Sequence, residues 1–304
     1  MISPRPRAAG EAVAGACAGK GPGPKTEDRT NWFNADGFLK ELRRINIFCG
    51  GFGSGKTEVA VNFSLRMREL GRRVSIADLD IVNLYFRSRE VREQLRGCGI
   101  EVLVPSEALV GADLPIIVPQ VRGALEDRGS DDEGPGGVHH KDTKTQRGQS
   151  PKDEGTTPVV VLDLGGDPAG ARVMASIAEG MRPDDYSSLF VLNSRRPFTA
   201  TVAAAEQMMA GISAAARINV DRIVVNSHLV DETTPAVIDE GIALGEELAQ
   251  KTGARIAFVA VQREMLDRFD AAGCRYPVMV LDRLMLKPWE PSNWLGRYRI
   301  VNGE

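Results

Sequence analysis

Cysteine and histidine are scarce in this chain, and their scarcity closes off classes of function. The four cysteines, Cys17, Cys49, Cys98 and Cys274, are scattered with no C-x-x-C pair and no histidine at metal-ligand spacing, so neither a zinc site nor a disulfide framework is indicated. Dispersed thiols suit a reducing compartment, and a cytoplasmic location is expected. Long apolar runs are missing as well. The strongest, Val159–Leu164, has the length of a strand, whereas a membrane span needs roughly 20 residues. Excess charge of one sign is also lacking: 38 Lys and Arg stand against 41 Asp and Glu, a formal charge of −3. No chain-wide basic field exists to hold nucleic acid or an anionic membrane, so neither is expected as a stable partner.

Two tracts lack large apolar groups and cannot offset their own ordering entropy. Residues 1–30 combine Pro4, Pro6, Pro22 and Pro24 with Gly and Ala, which predicts a disordered leader. Its Arg5 and Arg7 precede an Ala/Gly stretch without the Leu/Ile/Phe core of a signal peptide. Residues 122–158 are rich in Asp, Glu, Lys, Gly and Pro and hold His139 and His140. Strand-like segments on both sides make this tract a disordered surface insertion within one domain that spans 31–287. In the tail 288–304, Pro288 and Pro291 stand among Trp289, Trp294 and Tyr298. Two prolines so close break a helix, and this tail is expected to pack on the domain.

Between the tracts, short β-branched runs alternate with helical patterns. The runs are 45–49, 74–78, 100–104, 159–163, 189–193, 223–226, 256–260 and 278–281. Runs that are apolar on both sides belong to strands covered on two faces, so the fold is expected to be α/β: a mostly parallel sheet sandwiched between helices, Rossmann-like and three-layered. After the first run, Val59, Phe63, Met67 and Leu70 recur at helical spacing up to Gly71. A later helix is expected to start on Thr234 as N-cap with Pro235 in its first turn.

The segment Gly50-Gly51-Phe52-Gly53-Ser54-Gly55-Lys56-Thr57-Glu58 follows the first run and opens that helix. Strand, then G-x-x-x-x-G-K-[ST], then helix is the arrangement of a phosphate-binding P-loop. Its glycines let main-chain N–H groups turn inward on phosphate oxygens, Lys56 carries fixed charge to the β- and γ-phosphates, and the Thr57 hydroxyl ligates Mg²⁺. The helix N-terminus adds its dipole.

Two carboxylate positions belong with such a loop. Asp163 closes the apolar run 159–162, where it would support Mg²⁺. Asp78-Leu79-Asp80 closes the run one helix beyond the loop. These two aspartates are expected on opposite faces of the strand end, with Asp78 in the Mg²⁺ shell and Asp80 polarising an attacking water.

Together these residues resemble the MinD/ParA/CobQ branch of P-loop proteins, the SIMIBI NTPases, over roughly residues 45–281 without the insertion. In that family the P-loop helix leads to a strand ending D-x-D, as in Asp78-Leu79-Asp80. Its Walker B strand ends in a motif of which Asp163-Leu-Gly-Gly-Asp-Pro-Ala-Gly170 looks like an expanded version. A later strand ends in an Asn that contacts adenine, a role the resemblance gives to Asn226. The family's signature lysine near the start of the loop is absent here, its position being Gly51, which puts the family's nucleotide-sandwich homodimer in doubt. Arg195 and Arg196 are either surface arginines or a substitute charge at the phosphates.

The resemblance implies a Mg-ATP-binding protein and an ATP hydrolase that switches between ATP and ADP states for a protein partner. Two other readings stay open: an ATP-dependent small-metabolite ligase or kinase of the cobyrinate-amidating and dethiobiotin-forming type, and a non-catalytic nucleotide-binding module. Asp163-Leu-Gly-Gly166 also fits a GTPase D-x-x-G, but no N-K-x-D follows, since Asn226 is trailed by Ser-His-Leu, and ATP is the expected base.

Overall fold

A computed structural model describes residues 31–80, 89–103, 119–127, 158–166, 168–178, 181–182 and 184–284. The leader 1–30, the tail 288–304 and most of the 122–158 tract lie outside the described residues, as do His139 and His140. The strands are β1 (Trp32–Phe33), β2 (Ile45–Cys49), β3 (Val74–Leu79), β4 (Ile100–Leu103), β5 (Val159–Leu164), β6 (Tyr186–Leu192), β7 (Arg222–Val225), β8 (Arg255–Gln262) and β9 (Val278–Leu281). The helices are α1 (Asp36–Lys40), α2 (Lys56–Glu69), α3 (Arg89–Gly97), α4 (Pro119–Glu126), α5 (Pro168–Ala178), α6 (Val202–Ala216) and α7 (Pro235–Thr252).

The nine strands form one sheet in the order β1-β9-β8-β7-β6-β2-β5-β3-β4, parallel throughout except for β1 on the β9 edge. All eight sequence runs are strands. Five of them, β2, β5, β6, β7 and β9, are buried at every position, the pattern a two-faced cover produces. One cover carries Phe38 of α1, Val59 and Phe63 of α2 and Leu95 of α3; the other carries Val121 of α4, Met174 of α5, Ile212 of α6 and Leu248 of α7. The result is the expected three-layer α/β fold, a P-loop NTPase architecture.

The helix that starts on Lys56 is the most enclosed helix among the described residues, buried from Val59 to Met67 on every side. Phe63 packs edge-on to Phe48 with ring centroids 5.2 Å apart and lies parallel to Phe258 at 6.3 Å. These contacts fix the helix against β2 and β8. Leu70, placed in the apolar stripe by spacing alone, is half exposed: the helix has already ended, and Gly71 turns the chain away with φ +78°. The Thr234 side chain accepts from Val237 N with Pro235 in the first turn, so α7 begins as read.

One boundary needs correction. α4 runs to Glu126 and buries Val121, so the tract taken to start at residue 122 opens inside a helix. Short polar helices give a weak apolar signal, and this one carries Gly123 at its centre.

Candidate functional site

The P-loop leaves the carboxyl end of β2, between β6 and β5. That is a place where chain connections diverge to the two sides of a parallel sheet, and such a crevice is where these folds hold ligands. Gly50 has φ +147° and passes so close to β6 that a Cβ would stand 2.6 Å from the Val191 carbonyl oxygen. Gly55, the N-cap of α2, has φ +87°, and a Cβ there would meet Asn226 Nδ2 at 2.4 Å. Only glycine fits either position.

Lys56 is 7% exposed and Asp163 1% exposed. Burial raises the Asp163 carboxyl from 3.8 to about 6; Lys56 and the Thr57 hydroxyl pull it back down, and Asp80 pushes it up. Thr57 is near enough to favour the charged form, yet neither carboxylate oxygen meets hydrogen-bond geometry with any partner. The geometry therefore leaves two buried anionic oxygens open. The buried Ser54 hydroxyl is unpartnered too. Groups in this state are costly unless something completes them.

Asp78 lies in register with Asp163 on the adjacent parallel strand, so the two share one face of the sheet. The expectation that Asp78 and Asp80 point to opposite faces is wrong: a strand repeats every two residues, and positions two apart return to the same side. Asp78 Oδ1 accepts the Asp80 main-chain N–H at 2.9 Å, and Asp80 is close enough to Asp163 to raise its pKa. The three carboxylates thus form one cluster. Among the described residues no group of three or more His, Cys, Asp or Glu has the spacing of a complete protein-supplied metal site.

Four residues singled out in the sequence make contacts within the protein. Asn226, given to a base contact, donates its amide to Ser54 O at 2.8 Å and so braces the loop from β7. Glu58, placed on the ligand, turns its carboxylate to the Leu284 main-chain N–H. Of the two arginines, Arg195 pairs with Glu240, whereas Arg196 Nε donates to Gly53 O at 2.8 Å. Gly51 faces Met208, and Phe52 stands 71% exposed at the loop's tip. Asn226→Ala would leave a buried carbonyl without its donor. The expected loss is about 1–3 kcal/mol of unfolding free energy, measured by urea denaturation, and no loss would show that the brace is idle.

His228 was missed by sequence reasoning. Its Nδ1 accepts from Val230 N, and its Nε2 lies 3.5 Å from where a Gly55 Cβ would be. Burial first, then Arg196 and Arg283, lower its pKa to about 4, so it is neutral at physiological pH. Nothing in the string Asn226-Ser-His-Leu marks this histidine, because the arginines that flank it come from other elements.

No protein-family model matches the chain, and no curated protein matches it. Solved structures similar in arrangement include the cell division protein FtsY from Thermotoga maritima (18% identity, TM-score 0.45, over 72% of this chain and 62% of that one). FtsY from Mycoplasma mycoides matches at 16% identity and TM-score 0.44, over 70% and 58% of the two chains. The Signal Recognition Particle 54 kDa protein from Aeropyrum pernix, solved in complex with GDP, matches at 20% and 0.43, over 71% and 41%. The chain spans about three fifths or less of the length of these proteins. The P-loop NTPase fold of this chain rests on its own sheet order, loop and helix.

Proposed function

We propose that this protein is a nucleotide-dependent switch that binds a Mg²⁺-complexed nucleoside triphosphate on residues 50–57 and hydrolyses it slowly. The observation that carries the reading is the pair of buried opposite charges at the mouth of the loop, Lys56 and Asp163, with both Asp163 oxygens lacking a partner. That donor set fits Mg²⁺: hard oxygen ligands from Thr57 directly and from Asp163 and Asp78 beside it. When bound, the ion supplies positive charge against the phosphate oxygens.

The protein's own groups do the rest. Lys56 neutralises the terminal phosphates, the α2 N-terminus presents its N–H groups, and Asp80 orients water beside Asp163. The switch reading is favoured over the ligase and kinase readings by Gly166. A Cβ there would be 2.9 Å from Phe52 N and 3.2 Å from Lys56 Nζ. The segment after Asp163 therefore touches the loop and the lysine that a γ-phosphate would reach, and it must respond to that phosphate. ATP remains the base that the sequence favours. GTP is the competing base, because one of the similar structures is a GDP complex.

The deciding experiment is titration of the purified protein with MgATP and MgGTP, with particle size and phosphate release followed in both states. Saturable binding of one triphosphate that weakens without Mg²⁺ is expected, and a second copy joining in the triphosphate state would restore the homodimer. Failure of both nucleotides to bind sinks the proposal.

Asp163→Asn gives an independent check without nucleotide. A carboxyl raised above its unfolded value holds its proton longer in the folded state, so its contribution to stability falls as pH rises from about 4 to about 6. The asparagine is expected to recover up to about 3 kcal/mol at pH 7 while abolishing Mg²⁺-dependent binding. His228 works in the opposite sense, since a lowered histidine pKa costs stability as pH falls from about 6.5 towards 4. The asparagine variant should therefore unfold more readily in acid than the parent's pH profile suggests. Equal stability of variant and parent at pH 7 would mean that Asp163 is not held at a cost.

A further inference from the structure

The turn after β7 is held in a costly shape. Val230 has φ +55°, in the left-handed region, where a β-branched residue is a genuine outlier. Three hydrogen bonds keep the turn closed: Leu229 N–H donates to Thr233 Oγ1 at 3.0 Å, Thr233 Oγ1 donates to Val230 O at 2.6 Å, and Glu232 N–H donates to Leu229 O at 3.2 Å. Strain over-determined in this way clusters where a side chain must be aimed. Here that side chain is His228. The Val230 N–H donates to its Nδ1 at 3.3 Å, so in the neutral ring the proton sits on Nε2. Burial, Arg196 and Arg283 keep the ring neutral. The Nε2–H makes no hydrogen bond among the described residues.

Arg196 stands near the same ring. Its Nε is committed to Gly53 O at 2.8 Å, while its terminal N–H groups make no hydrogen bond or ion pair among the described residues. The carboxylates of the turn, Asp231 and Glu232, are exposed, and Asp231 pairs with Arg283 at 3.5 Å. The open groups of His228 and Arg196 are therefore donors, set against Gly53 and Gly55 of the P-loop.

The sheet order fixes which part of a ligand would meet them. Asp163 at the end of β5, and Gly166, whose Cβ would stand 3.2 Å from Lys56 Nζ, mark the metal and terminal-phosphate side of the loop. β2 has β5 on that side, and β6 followed by β7 on the other. A triphosphate whose terminal phosphate lies at Asp163 carries its nucleoside the opposite way, towards the turn after β7.

We infer that His228 reads the base at this site, donating from Nε2 to the 6-oxo oxygen of a purine, with Arg196 as a second donor beside it. This rests on the switch reading above, since it needs a triphosphate on the loop. The chemistry is one-sided. Guanine and hypoxanthine present an acceptor at position 6, whereas adenine presents an amino group, itself a donor, which would face two donors. Neither donor can accept from a 2-amino group, so guanine and hypoxanthine should be bound alike.

Calorimetric titration of the full chain with MgGTP, MgITP and MgATP tests this. GTP and ITP are expected to bind within about twofold of each other, and each at least about tenfold tighter than ATP. His228→Leu keeps the bulk and loses the donor, and is expected to bring GTP and ITP down to the level of ATP. His228→Gln keeps an N–H and should retain part of the preference. Thermal melting verifies that both variants fold. A preference for ATP overturns the inference, by giving the base to an acceptor such as Asn226 Oδ1, and so does equal binding of all three. GTP held well above ITP also overturns it, because another group would then be reading the 2-amino position. A preference that persists in His228→Leu takes the role from His228. Binding of none of the three is a separate failure, which sinks the switch reading and takes this inference with it.

Discussion

Asp282→Ala is expected to lower the unfolding free energy by about 3–5 kcal/mol, the cost of removing the buried carboxylate that Arg66 and Arg263 share. Arg66, inside the P-loop helix, is fully buried, and its guanidinium meets Asp282 at 2.5 Å. It also donates to Val280 O and to Glu69. Arg263 donates to the same carboxylate at 2.7 and 3.0 Å and reaches Asn31. Two arginines therefore depend on one aspartate. Arg66→Met should cost less, because the carboxylate keeps Arg263 and the methionine fills the space with apolar atoms. The predicted order, Asp282→Ala worse than Arg66→Met, is read from urea midpoints at constant slope. A reversed order, or a loss under about 1 kcal/mol for Asp282→Ala, would show that the cluster relaxes into water.

The cluster matters for function because of what it holds. Asn62 and Asp282 exchange two hydrogen bonds, from Asn62 Nδ2 to Asp282 O at 2.9 Å and from Asp282 N to Asn62 Oδ1 at 2.8 Å. Glu58, one turn nearer the loop, takes the Leu284 N–H. The helix that presents Lys56 and Thr57 is thus tied along its length to the end of β9, at the far side of the sheet from β5. This buried polar seam needs a helix of fixed register, and a rigid α2 is what keeps the loop's N–H groups aimed at one point.

How much of this was legible in the string divides along a physical line. The strands were legible because a parallel sheet covered on both faces writes uninterrupted apolar runs, and β2 and β5 read as such. The P-loop was legible because its requirements are local: glycine where φ is positive, a lysine at a fixed offset, a helix immediately after. β1 was not, since two residues, Trp32 and Phe33, give no period. Contacts between distant parts of the chain left no trace. Arg66 and Asp282 are 216 positions apart, and an arginine in a helix reads as a solvent-facing residue until its partner is seen. The same holds for Arg196 on Gly53 and Asn226 on Ser54, which come from neighbouring strands to brace a loop whose own sequence contains no hint of them. Family likeness supplied the role of Asn226, whereas its contact with Ser54 comes from a part of the chain 172 positions away.

Lys56→Ala is expected to weaken triphosphate binding at least about 100-fold, close to 3 kcal/mol, within the range for removing one partner of a desolvated charge pair. The ammonium has two tasks in this site. It meets the phosphates, and it is the principal group that restrains the rise in Asp163 pKa. Without it, burial and Asp80 act unopposed except by Thr57, so the Asp163 carboxyl should titrate above its present value of about 6 and become largely protonated near neutrality. Its value as a metal-supporting anion then falls along with the loop's charge. The two losses should appear together: triphosphate affinity drops, and the Mg²⁺ dependence of what remains flattens at pH 7 but returns in part at pH 8 and above. Because Asp163 can neutralise itself by taking a proton, the variant should stay folded, with its melting temperature near that of the parent. Calorimetry across pH 6–9 measures both effects. Unchanged affinity would remove the loop from the mechanism, and a uniform loss with no recovery at alkaline pH would separate Lys56 from Asp163.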